Sequence, residues 1–177
     1  SEGVDPGKGN IDTRGSITHS PTHSPTQAII FRDGLFDDKV IRTDLETLKR
    51  VLEKSIVVDV LRKGKYLWLK INGCGGQFSC LLIHFGMTGS ISIDGVKRLE
   101  YMDFKVDELW PPRYCKFEMI FDNKIRVAMT DARRLGRIEL IEGVTSPLNV
   151  LPLSKLGKDP ILEPLSLKSF SESILKR

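Results

Sequence analysis

The sequence predicts a mainly β domain: an antiparallel β-sandwich of about eight strands with flanking α-helices. Three observations point there. Short runs rich in β-branched and aromatic residues recur along the chain, and turn residues separate them. Several runs alternate cleanly, as in Lys116-Phe117-Glu118-Met119 and Arg137-Ile138-Glu139-Leu140-Ile141. Alternation gives a strand one core face and one wet face, which is the habit of antiparallel sheets. Only two stretches have helical spacing, and both lie outside the main series of strands.

The elements follow in order. Residues 1–27 are rich in Gly, Ser, Thr and Pro and contain the repeat His19-Ser20-Pro21-Thr22, His23-Ser24-Pro25-Thr26. With Val4, Ile11 and Ile17 as their aliphatics, they bury too little to offset ordering entropy and read as a disordered tail. His19 and His23 lack a third ligand nearby. Residues 28–31 read as a buried strand ended by Asp33-Gly34. Thr43-Asp44-Leu45-Glu46 reads as a capping box, with Thr43 as the cap and Leu45, Leu48 and Leu52 on one helical face to about Lys54. Strands at 55–61 and 66–71 meet at Lys63-Gly64, a hairpin signal. Further strands are predicted at 78–84, 90–93, 114–121, 125–129 and 137–141, with Asp122-Asn123-Lys124 as a tight turn. Residues 94–113 read as a polar excursion ending in Trp110-Pro111-Pro112. Ser166 caps a last helix bearing Leu167, Phe170 and Ile174 on one face. The expected division is a tail over 1–27, a β-sandwich domain over 28–165, and the start of a helix over 166–177.

Composition sets few limits. The chain has 177 residues, 28% charged and 40% apolar, which suits one domain with a real core. Formal charge is +4, and residues 1–27 are not its source: 25 of the 27 Lys/Arg and 20 of the 23 Asp/Glu follow them. This permits a polyanionic partner without requiring one. Cys74, Cys80 and Cys115 form no C-x-x-C pair and no zinc spacing, so no metal site is predicted. No apolar run approaches the roughly 20 residues that span a bilayer.

Enzyme templates find little. There is no G-x-S-x-G elbow, H-E-x-x-H, phosphate loop or dinucleotide fingerprint. Three other segments stand out: Arg62-Lys63-Gly64-Lys65-Tyr66-Leu67-Trp68-Leu69, His84-Phe85-Gly86-Met87-Thr88-Gly89-Ser90, and Thr130-Asp131-Ala132-Arg133-Arg134-Leu135-Gly136-Arg137. Singly each has a bland reading: Lys65 as a solvated lysine, His84 as a strand-end histidine, Met87 as core filler, Arg133 and Arg134 as surface cations. Together they describe an apolar wedge between glycines, flanked by cations, which suits insertion into DNA.

In these segments, and in Leu156-Gly157-Lys158-Asp159-Pro160 with Glu163-Pro164-Leu165, the chain resembles the N-terminal domain of the formamidopyrimidine-DNA glycosylases. The spelling is nearest the fungal and plant branch. The resemblance implies a bifunctional glycosylase/AP lyase of base excision repair that flips oxidised purines out of duplex DNA. It implies that Lys65 contacts DNA around the lesion and assists base release, and that His84 meets a backbone phosphate. Met87, Arg133 and Leu135 would fill the gap left by the extruded nucleotide, with Arg134 among the DNA-binding cations. Leu135 stands where many members have phenylalanine.

The resemblance also implies a nucleophile that this sequence lacks: an N-terminal proline in a Pro-Glu-Leu-Pro-Glu-Val-Glu start, where the chain begins Ser1-Glu2-Gly3-Val4-Asp5-Pro6. The family's helix–two-turn–helix module and zinc finger have no counterpart either, so no cofactor is expected in this chain. The expectation is a fragment with little lyase activity, a monomer on damaged double-stranded DNA, nuclear by analogy with eukaryotic members. A non-catalytic DNA- or partner-binding β-domain is the alternative, and a purely structural sandwich comes last.

Overall fold

Seven strands form two antiparallel sheets in the computed structural model, which describes residues 37–73, 75–96, 109–159, 161–164 and 166–175. The four-stranded sheet has the order β1 (Ile56–Lys63), β2 (Tyr66–Asn72), β3 (Phe78–His84), β7 (Arg137–Glu142). The three-stranded sheet has the order β4 (Ser90–Ile93), β6 (Arg126–Thr130), β5 (Cys115–Ile120). Seven of the eight expected strands are therefore present. The eighth, at 28–31, lies outside the described residues, as do the 1–27 tail and residues 97–108 of the excursion.

Alternation decides which side chains meet. Leu69, Ile71, Leu81, Ile83, Ile138 and Leu140 of the larger sheet join Phe117, Met119 and Met129 of the smaller one in a single buried cluster. The opposite face of the larger sheet carries Trp68, Cys80 and Leu82, packed with Leu153. Helix α1 (Leu45–Leu52) adds Leu48 and Leu52 to the main core, and Arg50 grips Glu142 of β7 with two 3.0 Å bonds.

Two expectations need correction. The cap of α1 is Asp44, whose carboxylate accepts the Thr47 N–H at 2.8 Å. Thr43 is occupied elsewhere: its hydroxyl accepts the Leu140 N–H at 2.8 Å. That bond continues a parallel bridge of Ile41 with Ile138, in which Arg42 N–H donates to Ile138 O and Ile138 N–H to Val40 O. A free strand edge needs acceptors, and Thr43 supplies one. Glu118, expected on the wet face, is only 3% exposed. Arg126 donates to it through Nε at 2.9 Å and Nη2 at 2.7 Å, and the Trp110 indole N–H donates as well. The guanidinium also lies over the Trp110 ring, so the end of the excursion covers the outer face of the smaller sheet.

Residues 157–177 fall in a separate compact unit from 23–156. Its α2 (Leu167–Leu175) is capped as expected, with Ser166 Oγ accepting the Ser169 N–H at 3.2 Å.

Candidate functional site

The three singled-out segments converge at one end of the sandwich. Between β1 and β2, Gly64 takes φ +58°, a left-handed turn that suits glycine, and Lys65 follows it at the exposed tip. The Lys65 carbonyl accepts the Phe85 N–H at 3.3 Å, which ties the hairpin to the loop after β3.

That loop closes tightly. Gly89 N–H donates to Phe85 O at 2.8 Å, and Gly86 sits at φ +59°. Met87 projects from the turn, 68% exposed, although methionine is among the more often buried residues. Gly86 also lies directly against the third segment: a Cβ there would stand 2.7 Å from the Leu135 carbonyl carbon and 2.9 Å from Gly136 N. Only a glycine permits that approach.

Asp131 clasps the two loops from beneath. Fully buried, it accepts the Thr88 hydroxyl (2.6 Å) and the Arg133 N–H (3.2 Å) on Oδ1, and the Gly136 N–H (2.6 Å) on Oδ2. Every bond to it is one that an ionised carboxylate strengthens. Above this floor, the Arg133 guanidinium Nη1 lies 4.0 Å from Met87 Sδ, and Leu135 stands exposed beside them.

The adjacent arginines part company. Arg134, at φ +56°, turns to Asp37 and forms a bidentate pair, Nε and Nη2 each at 2.7 Å. Lys116 Nζ reaches the same carboxylate at 3.0 Å. The Arg134 hydrogen bond, aided by Lys116 and opposed by burial, holds the Asp37 carboxyl at about 2. The edge of Arg134 formed by Nε and Nη2 is thus committed within the protein. Asp37 was not foreseen, because its partner lies 97 positions away and nothing local marks it. Asp131 and Thr88 stood in the motifs without an assigned role.

His84 ends β3 with its Nδ1 accepting the Gly86 N–H at 3.3 Å, which leaves the ring proton on Nε2. Burial first, then the charges of Lys65 and Arg137, lower its pKa, so the imidazole is neutral at pH 7. Chemically, the assembly is an apolar tip on a rigid polar floor, with several cations around it. It can part an apolar stack while holding a polyanion. Among the described residues no group of three His, Cys, Asp or Glu could hold a metal, and no helix is long and apolar enough to cross a membrane. Cys74 lies outside the described residues, and Cys80 and Cys115 are buried thiols.

Fold and site together define a class: a two-sheet β domain that carries a clasped wedge loop and a cationic rim at one end. The sequence profile of the formamidopyrimidine-DNA glycosylase N-terminal domain matches residues 23–138, and the chain belongs to that family. It is 36% identical over 147 residues to the formamidopyrimidine-DNA glycosylase of Arabidopsis thaliana, covering 80% of this chain and 35% of the relative. It is 31% identical over 140 residues to that of Streptococcus pyogenes, covering 77% and 44%. The chain therefore spans less than half the length of these relatives. The Lactococcus lactis formamidopyrimidine-DNA glycosylase, solved bound to DNA containing an AP site, superposes with TM-score 0.56 at 22% identity. That match covers 89% of this chain and 50% of the other, and it bears out the fold.

Proposed function

We propose that this domain grips duplex DNA at a damaged nucleotide and fills the gap left when that nucleotide leaves the stack. It does so as part of a formamidopyrimidine-DNA glycosylase/AP lyase of base excision repair that removes oxidised purines such as formamidopyrimidine and 8-oxoguanine. The carrying observation is Met87, exposed on a loop clasped by buried Asp131, with Arg133 4.0 Å from its sulfur. Relatives of that name, and a fold shared with a member solved on AP-site DNA, support the reading.

The physics divides the labour. An extruded base leaves unstacked neighbours and a widowed partner, at a cost of about a few kcal/mol unless something replaces it. Flexible, polarizable Met87 fills the hole, and Arg133 hydrogen-bonds the orphaned base edge. Leu135 wedges beside them without ring stacking, so it probes lesions less strongly than an aromatic residue. Lys65, on the hairpin tip, meets the DNA around the lesion and assists base release, and His84 donates Nε2–H to a phosphate. Arg134, braced by Asp37, offers its outward nitrogen to the backbone. The chain works as a monomer, and the nucleus is the compartment we assign, from the eukaryotic relative.

The test compares retention of three duplexes, carrying 8-oxoguanine, an abasic analogue or no damage, in a gel-shift assay over a salt series. Preference for the damaged duplexes is expected. Met87→Ala combined with Arg133→Ala abolishes the preference and leaves salt-sensitive general binding. Equal retention of all three duplexes by the unaltered chain overturns the reading.

A further inference from the structure

Three strands of the larger sheet end level with one another beside the wedge. The register sets His84 of β3 opposite Tyr66 of β2 on one side and opposite Arg137 of β7 on the other. Residues directly opposed in an antiparallel sheet share a face, with Cβ atoms about 5 Å apart. That face is the outer one, because the next residues, Ile83 and Ile138, point into the core. Tyr66, His84 and Arg137 thus form a row across three strands.

Among the described residues no anion is paired with this row. The Tyr66 ring stands 4.5 Å from the imidazole, tilted by 40°, and walls one side. Arg137 is exposed, and no carboxylate among the described residues forms an ion pair with it. Glu139, the nearest carboxylate on the same face of β7, is two residues along, about 6–7 Å down the strand. Burial first, and then the charges of Lys65 and Arg137, bias His84 toward neutrality, so two cations act on the imidazole. The row is also fixed to the wedge, since Gly86 N–H holds His84 Nδ1 one residue before Met87. The Nε2–H of His84 and the Arg137 guanidinium both donate outward from this row, with the exposed Lys65 at its margin, and an oxygen of a phosphodiester accepts from both.

We propose that Arg137 and His84 form one phosphodiester seat, walled by Tyr66, and that Arg137 is a DNA-contacting residue in its own right. The seat sets the register of the domain on the strand, while the wedge reads the gap. This rests on the reading above, in which the polyanion is DNA.

The two donors differ in charge, and that difference gives the test. Arg137→Gln removes a cation that displaces a condensed counterion, so the slope of log affinity against log salt becomes shallower by about 0.9. His84→Gln at pH 7.5 removes a neutral donor, so affinity falls about threefold with no change of slope, consistent with loss of one modest hydrogen bond. The double variant falls little further than Arg137→Gln, because the two donors hold one phosphate. Lys124→Gln, which removes an equal charge at the far end of β6, leaves the slope unaltered. Arg137→Gln unfolds at the same temperature as the unaltered chain, since the side chain is exposed. A salt slope in Arg137→Gln that matches the unaltered chain, or losses that add fully in the double variant, overturns the seat alone. An unaltered chain that retains no duplex at the lowest salt overturns both the seat and the function it rests on.

Discussion

The two ends of β6 treat polarity in opposite ways. At the far end, Asp122, Asn123 and Lys124 turn the chain with their polar groups outward: Asp122 Oδ1 accepts the Asn123 N–H and Asn123 Oδ1 the Ile125 N–H. This is ordinary turn chemistry, made of short-range bonds that water could replace. At the near end a carboxylate is fully buried and a methionine is two-thirds exposed. Inverting the usual arrangement costs stability on both counts, and Asp131 offsets it by accepting three donors at once. The contrast marks the near end as the more constrained of the two: there a buried polar floor fixes the loop that carries the exposed methionine.

That contrast can be broken at graded strength. Asp131→Ala orphans the buried Gly136 N–H and frees Thr88, and should cost about 4 kcal/mol, as two or more charge-assisted hydrogen bonds would. Urea unfolding measures it, and a loss under about 1 kcal/mol would show that the clasp is incidental. Gly86→Ala forces a side chain into the left-handed region and against Leu135, costing about 2–3 kcal/mol in the same assay. A neutral result there would mean that the two loops separate freely.

Asp37 adds a pH dependence. Its folded pKa is depressed to about 2 from 3.8, so the ionised form favours the fold. The stabilisation is full above pH ~4 and is lost as pH falls through about 2. Asp37→Asn should flatten the stability profile over that acid window, and an unchanged profile would remove the pair with Arg134 from the account. Asn123→Ala, at the far end, loses one exposed bond and should cost about 0.5 kcal/mol. Met87→Ala should change stability by less than about 0.5 kcal/mol, because the side chain is exposed, yet weaken retention of the abasic duplex. A large thermal shift would place Met87 in the core economy after all.

The sequence carried the strands well where glycines or turns bracket them. The strands expected at 78–84 and 90–93 have those bounds in the structure, with Gly86 and Gly89 between them. It failed where a side chain answers to something distant. Thr43 spelled a cap but serves β7, and Glu118 spelled a wet face but lies beneath Trp110 and Arg126. The pairing of Asp37 with Arg134 had no local mark at all, and so Arg134 read only as a further DNA-binding cation. A one-residue difference in backbone hand, φ +56° at Arg134, sends one guanidinium inward and leaves its neighbour beside Met87.

The sheet edges have a consequence of their own. β7 is closed by residues 40–43, but among the described residues β1 is an outer strand, with Val60 and Leu61 exposed. Bare strand edges invite a second chain to extend the sheet. Here a bulge between Val57 and Asp59 breaks the regular ladder, and the Asp59 carboxylate takes up the Val60 N–H at 2.8 Å. Arg62 and Lys63 add charge beside it. The bulge and these charges thereby disfavour addition of a second chain along β1.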